Sequence, residues 1–207
     1  MPFSASGRLG WAGLATLLIA GSLIALAFAG DRSAFDWQPA WAAREPWRAW
    51  TAAFVHYSAL HLAANGVGAV LVGALGVVAV VPWRSVVAWL AAWPLTQIGL
   101  VDRPDLLHYG GLSGVLHAGV AVVALHLIVA GRGRRRWIGA ATLAAVVVKV
   151  LGEAPWGPAL RHPAGWDIAV APFAHATGVA AGLLTSAIAE MLHRRFGVCA
   201  KAAAERP

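Results

Sequence analysis

Residues 110–117 read Gly-Gly-Leu-Ser-Gly-Val-Leu-His, a glycine-rich turn that opens an apolar run reaching Ala130. A run of about twenty apolar residues, at a rise of about 1.5 Å per residue, has the length of a helix that spans a bilayer. The turn therefore puts one hydroxyl, on Ser113, where a membrane helix is expected to begin. Such a hydroxyl is either a passive hydrogen-bonding group or a nucleophile, and this string alone is compatible with both.

The composition of the whole chain indicates an integral membrane protein. Of 207 residues, 59% are hydrophobic and 12% are charged, and the mean hydropathy is +0.68. A soluble domain carries about 25% charged residues, so water-soluble packing does not accommodate this composition. The net charge is +7, but the basic residues form no stripe interleaved with aromatics, which argues against a nucleic-acid partner. Cys199 is the single cysteine, so no disulfide forms within the chain.

Six apolar segments can be delimited, and each must be helical because lipid offers the backbone no hydrogen-bond partners. We therefore predict an all-α polytopic membrane protein, a six-transmembrane-helix bundle that forms one domain over residues 1–207. We expect this domain to be embedded in the lipid bilayer. The predicted helices cover residues 10–29, 57–81, 85–101, 111–130, 137–152 and 168–189.

The first segment has two interpretations. It ends in Ala27-Phe28-Ala29, which is similar to a signal-peptidase site, but its length is that of a membrane span. We expect it to be retained as the first helix.

The basic residues predict the orientation in the membrane, because Lys and Arg accumulate on the cytoplasmic side. If the N-terminus is cytoplasmic, six spans place the C-terminus in the cytoplasm as well, and most of the basic residues then lie on the cytoplasmic side. The inner ones are Arg8, Arg84, Arg132, Arg134, Arg135, Arg136, Arg194, Arg195, Lys201 and Arg206, and the outer ones are Arg32, Arg44, Arg48, Arg103 and Arg161. Four tryptophans between residues 31 and 50 predict that the first outer loop lies partly in the interface.

Polar side chains inside the predicted spans are costly in lipid and are functional candidates. On this topology His61, Asn65, Ser113 and His175 lie roughly 3–12 Å from the outer ends of three parallel helices. A serine hydroxyl needs an adjacent base, most often histidine, which makes Ser113 and His175 a candidate catalytic dyad. Free N–H groups at a helix start, together with His61 and Asn65 on one helix face, would stabilise an oxyanion. Gly178, after His175, permits close helix packing.

The other intramembrane polar groups receive supporting or structural interpretations. His117 is one turn after Ser113 and is a candidate for a supporting role beside the dyad. Lys149 and Glu153 have the same spacing at the outer end of the fifth helix, and we interpret them as a structural ion pair. His126 lies deeper and is also interpreted as structural.

Three ordered strings resemble those of rhomboid intramembrane serine proteases. Residues 47–65, WRAWTAAFVHYSALHLAAN, resemble their second-helix signature, residues 111–114 resemble G-x-S-G, and residues 174–178 resemble the sixth-helix A-H-x-x-G. The resemblance implies that Ser113 is the nucleophile and His175 the general base. It also implies an oxyanion site formed by His61, Asn65 and the backbone N–H groups around Gly111, Leu112 and Ser113. His56 matches a recurring histidine of the family and is expected to have a supporting role only.

Within that family, the short chain and the strings at 111–117 and 149–153 resemble the rhombosortase branch. This implies a bacterial inner-membrane protease that cleaves, near the outer face, membrane-anchored proteins ending in a Gly-Gly-type motif, one helix and a basic tail. No metal or organic cofactor is called for.

Three alternatives stay open. One is a general rhomboid protease for single-span substrates. Another is a membrane haem protein with His61 and His175 as ligands. The third is a catalytically inactive rhomboid relative that binds membrane clients.

Overall fold

The computed structural model describes residues 3–27 and 30–204, and in this part of the chain helices joined by loops make up the structure. Phe28 and Ala29 of the signal-like string lie outside the described residues. Within the described ranges no β-strand occurs, only two isolated bridges. The α-helices are α1 (Phe3–Ala27), α2 (Arg48–Thr51), α3 (Ala59–Val78), α4 (Trp83–Ile98), α5 (Ser113–Ala130), α6 (Arg134–Gly152) and α7 (Pro172–Ala204).

Five helices in the described part of the chain are long and apolar enough to cross a membrane. They are the spans within α1, α3, α4, α5 and α7. The remaining long helix, α6, has 19 residues but begins with three arginines and carries Lys149, and these charges lower its hydropathy. The arginines stand at one end of α6, where a membrane surface tolerates them. The prediction of an all-α, polytopic membrane fold is confirmed.

Helix α5 lies at the centre of the bundle. Its residues are 61% buried, against 28% for the span within α1, as expected for a helix that is apolar on every side. Trp89 of α4 donates from its indole N–H to the carbonyl of Val115 in α5 at 2.8 Å, and its ring stacks on Trp11 of α1 with a centroid distance of 4.3 Å. These contacts hold α1 and α4 against the start of α5.

Helices α5 and α7 approach each other at backbone distance. A Cβ added to Gly178 would collide with the carbonyl of Gly114, and one added to Gly182 would collide with the carbonyl of Ala118. Small residues at four-residue spacing are the usual means of such close packing in membranes. This packing brings the start of α5 beside the first turns of α7.

The loops at the end of the bundle where α5 begins are held by buried polar contacts. Trp37 and Tyr109 exchange backbone hydrogen bonds of 2.7 and 2.9 Å, which fixes the loop of residues 31–50 to the segment before α5. The buried carboxylate of Asp36 accepts hydrogen bonds from the Tyr57 hydroxyl and from His108 Nδ1, each at 2.9 Å. Trp37 is itself 1% exposed, because its backbone pairing draws the ring inward, whereas Trp41, Trp47 and Trp50 are exposed. That this loop lies partly in the membrane interface stays a prediction.

Candidate active site

The turn before α5 requires glycine at position 111. Gly111 has a φ of +120°, a region that side chains other than glycine rarely adopt. A Cβ at this position would also lie 2.5 Å from His61 Nε2 and 3.2 Å from Asn65 Nδ2. The glycine therefore lets the chain turn into α5 while α3 lies directly against the turn.

Ser113, the first residue of α5, faces His175 on α7. The distance from Ser113 Oγ to His175 Nε2 is 3.0 Å, within hydrogen-bonding range. His175 is 4% exposed. Its other ring nitrogen, Nδ1, lies 2.6 Å from Glu153 Oε2. An ionised carboxylate only accepts hydrogen bonds, so Nδ1 carries the ring proton and Nε2 is left to accept the Ser113 hydroxyl proton.

The ring of His117 lies flat against that of His175. The two centroids are 4.3 Å apart and the planes are inclined by 15°. His117 Nδ1 donates to the carbonyl of Ser113, one turn earlier, at 2.6 Å. This hydrogen bond fixes the His117 ring, and the fixed ring supports one face of the His175 imidazole.

The side chains of His61 and Asn65 project from α3 toward the turn at Gly111, and both are buried. Asn65 Nδ2 donates to His56 Nε2 at 3.0 Å, and His56 Nδ1 donates to the carbonyl of Phe54 at 3.1 Å. Burial lowers the pKa of His56, which keeps the ring neutral and able to accept. His56 therefore orients the Asn65 amide, and the second amide hydrogen of Asn65 remains available to the cavity.

The backbone N–H groups around Ser113 differ in availability. The N–H of Gly111 donates to the carbonyl of Ala52 at 2.9 Å, so it holds the turn in place and is not available to a substrate. Leu112 is the buried N-terminal cap residue of α5 and has no side-chain capping bond. The first N–H groups of a helix have no partner within the helix. The backbone N–H of Ser113 is one of these groups, and it lies beside the Ser113 hydroxyl.

A cavity of about 1070 Å³ surrounds these groups. Its polar end holds Ser113, His175, His61 and Asn65, and its walls come from α3, α5, α6, α7 and the loop before α7. Deeper wall positions are apolar and include Leu71, Val72, Leu116, Val120 and Val146. The cavity has the volume of a site for a drug-sized or peptide ligand.

The ion pair of Lys149 and Glu153 is present, with Nζ and Oε1 2.7 Å apart. It is part of the site, because Glu153 also contacts His175, a contact that the four-residue spacing did not predict. His126 lies elsewhere. Its Nδ1 is 3.0 Å from Glu190 of α7, which also pairs with Arg84 of α4 at 3.0 Å.

The fold and the site together define a polytopic helical membrane protein in which a half-buried serine at the start of α5 contacts a buried histidine of α7. The sequence model of the Rhomboid domain matches residues 43–191. This is most of the chain, and it includes α2 to α6 and the histidine-bearing part of α7. The chain belongs to the rhomboid family, a family of intramembrane serine proteases that act on membrane-embedded substrates. No curated protein matches the chain.

Proposed function

We propose that the protein is an intramembrane serine protease in which Ser113 is the nucleophile and His175 the general base. The observation that carries the proposal is the 3.0 Å contact between Ser113 Oγ and His175 Nε2 inside a cavity among the membrane helices. A nucleophile and a base within hydrogen-bonding distance are the recognisable elements of covalent catalysis by serine.

The reaction proceeds through an acyl-enzyme. Ser113 Oγ bonds to the carbonyl carbon of the scissile peptide while its proton moves to His175 Nε2. The tetrahedral oxyanion then collapses, the C–N bond breaks, and the imidazolium gives its proton to the departing amine. Water attacks the resulting ester and passes a proton to Nε2, after which Ser113 leaves with that proton and a carboxylic acid is released.

The developing oxyanion is stabilised by donors from α3 and from the start of α5. These are the Asn65 amide, the His61 ring, and the backbone N–H groups of Leu112 and Ser113. Removal of one such donor in a serine protease costs about 100- to 1000-fold in kcat. His56 contributes through Asn65 and does not touch the substrate.

The proposed substrates are membrane-anchored proteins with one transmembrane segment, cleaved near the outer face of the bacterial inner membrane. The excess of basic residues on the inner side supports this orientation, with both termini in the cytoplasm. The rhombosortase-like strings at 111–117 and 149–153 favour a C-terminal Gly-Gly motif, helix and basic tail. Glycines ease local unwinding of the substrate helix, which in-line attack requires.

The test uses purified protein in detergent micelles and a fluorescent single-span substrate that carries Gly-Gly before its helix and a basic tail. Ser113→Ala and His175→Ala should each reduce cleavage at least about 1000-fold. Ser22→Ala is the matched control, because Ser22 is a buried serine of α1 whose hydroxyl donates to the carbonyl of Leu18, one turn back in the same helix. Undiminished cleavage by Ser113→Ala would refute the dyad. Equal cleavage of a substrate with Leu-Leu in place of Gly-Gly would favour the general rhomboid protease.

The alternatives from other classes have distinct signatures. Haem ligation by His175 would require a free ring nitrogen, but Nε2 and Nδ1 are both bonded to side chains, and an absorbance scan without a Soret band would exclude it. An inactive relative would not react with a serine-directed fluorophosphonate, whereas the proposed enzyme is labelled at Ser113.

A further inference from the structure

We propose that Glu153 is a positioning residue for His175, so that Ser113, His175 and Glu153 work as a three-membered chain with Lys149 holding the carboxylate. This inference rests on the proposed protease function. It assigns a role in catalysis to an ion pair at the outer end of α6.

The carboxylate of Glu153 is shared between two partners. Oε2 lies 2.6 Å from His175 Nδ1, and Oε1 lies 2.7 Å from Lys149 Nζ. On the other side of the ring, Nε2 is 3.0 Å from Ser113 Oγ. The carboxylate, imidazole and hydroxyl thus form one continuous line of hydrogen bonds from α6 through α7 to α5.

The carboxylate decides which nitrogen of His175 carries the proton. Lys149 Nζ is also near Nδ1, at 3.4 Å, and an ammonium group can only donate. If Lys149 donated to Nδ1, the ring proton would lie on Nε2 and point at Ser113, and the base would be lost. The Glu153 contact is shorter and its acceptor is an ionised carboxylate, which makes it the stronger hydrogen bond, so Nδ1 keeps the proton and Nε2 stays basic.

Glu153 is held in this place by its backbone. It follows the last residue of α6, and its carbonyl accepts a hydrogen bond of 2.9 Å from Arg161 Nη1. Arg161 in turn exchanges backbone hydrogen bonds of 2.8 and 2.7 Å with Val170, two residues before α7 begins. The end of α6 is thereby tied to the start of the helix that carries His175.

The ionisation of Glu153 agrees with this role. Burial by itself raises the pKa of a carboxyl group, but the hydrogen bonds from His175 and Lys149 outweigh it and lower the pKa of Glu153 to about 2. The carboxylate is therefore ionised at neutral pH and accepts the Nδ1 proton. When His175 takes up the serine proton, the adjacent negative charge stabilises the imidazolium.

The test measures the second-order rate at which a fluorophosphonate probe labels the full-length protein in detergent, as a function of pH. Glu153→Gln should lower the rate about 100- to 10,000-fold at neutral pH and move the acid limb of the profile to lower pH, because a negative charge is lost. Lys149→Met should lower the rate less than about 10-fold and move that limb to higher pH, because a positive charge is lost. Glu153→Asp, which keeps the charge, should recover part of the rate.

Glu190→Gln is the matched control, because Glu190 is another membrane carboxylate that contacts a histidine, His126, away from the cavity. Its labelling rate per folded molecule should equal that of the wild type. A purely structural ion pair predicts that Glu153→Gln and Lys149→Met have the same effect, since both break the pair.

Three outcomes are decisive. An unchanged acid limb in both variants would overturn the inference, while loss of labelling in Ser113→Ala would still uphold the proposed function. Labelling of Ser113→Ala at the wild-type rate would instead overturn the proposed function itself. If Glu153→Gln does not fold, the shift in Lys149→Met alone decides, and its absence would overturn the inference.

Discussion

Gly178 of α7 lies directly against the carbonyl of Gly114 in α5, one residue after Ser113 in the chain. His175 stands three residues before Gly178, so this backbone contact sets the separation of the hydroxyl and the imidazole. The packing of two glycines is therefore a condition for the 3.0 Å contact between Ser113 and His175.

We expect Gly178→Leu to separate α5 from α7 and to abolish fluorophosphonate labelling of Ser113. A side chain here collides with the backbone of Gly114, which cannot move without disturbing α5. The free energy of unfolding should therefore also fall by about 1–3 kcal/mol or more. Thermal unfolding and labelling in detergent measure both effects. Gly13→Ala is the control, since an added Cβ there would have no atom of the described residues within 4 Å apart from its chain neighbours and its own helix backbone. Wild-type labelling by Gly178→Leu would contradict the expectation.

The buried His56 predicts a pH dependence of stability. Burial lowers its pKa below the ordinary 6.5, so between the two values the unfolded chain binds more protons than the folded protein. Stability should therefore fall as the pH drops below about 6.5 toward the folded-state pKa. In His56→Gln, which can still accept a hydrogen bond from Asn65, the change of stability with pH that His56 causes should vanish. Parallel slopes for the two proteins in thermal unfolding between pH 5 and 8 would disprove the assignment.

The Glu190 carboxylate holds three helices together, because it pairs with Arg84 of α4 and His126 of α5. Glu190→Ala should lower the free energy of unfolding by about 1–3 kcal/mol. This is less than the usual cost of breaking a fully buried ion pair, because the Arg84 side chain is 24% exposed. Labelling of Ser113 per folded molecule should not change, since the cluster is remote from the cavity. A selective loss of labelling without loss of stability would point to a role other than packing.

Asp36 organises the loop of residues 31–50. Its buried carboxylate accepts from Tyr57 and His108 and pairs with Arg48 at 3.6 Å. Asp36→Ala leaves these donors without their acceptor and should cost about 2–4 kcal/mol of stability. Limited proteolysis of the protein in detergent should then cut between residues 31 and 50. Protection of this loop equal to that of the wild type would contradict the role of Asp36.

Much of the architecture could be predicted from the sequence because lipid restricts the choice of structure. Long apolar runs had to be helices, and the shared depth of Ser113, His61, Asn65 and His175 suggested that they meet. Depth in the membrane is encoded by sequence position along each helix. The four side chains do lie together in one cavity.

The features that were missed depend on contacts between distant parts of the chain. The Glu153 carboxylate reaches His175 only because the end of α6 is tied through Arg161 to the segment before α7. The N–H of Gly111 was expected near the oxyanion, but it donates to the carbonyl of Ala52, which lies in the turn between α2 and α3. Neither pairing leaves a periodic or local signal in the sequence.

The α5–α7 contact has a further consequence when its whole length is considered. Gly178 and Gly182 join the two helices near the end where α5 begins, and Glu190 joins them near the other end of α5 by pairing with His126. Fastened at both ends, the two helices can neither splay apart nor turn about their axes separately. We therefore expect a substrate segment that enters the cavity to meet a fixed wall on this side and to find its room on the side that α3 and α6 line.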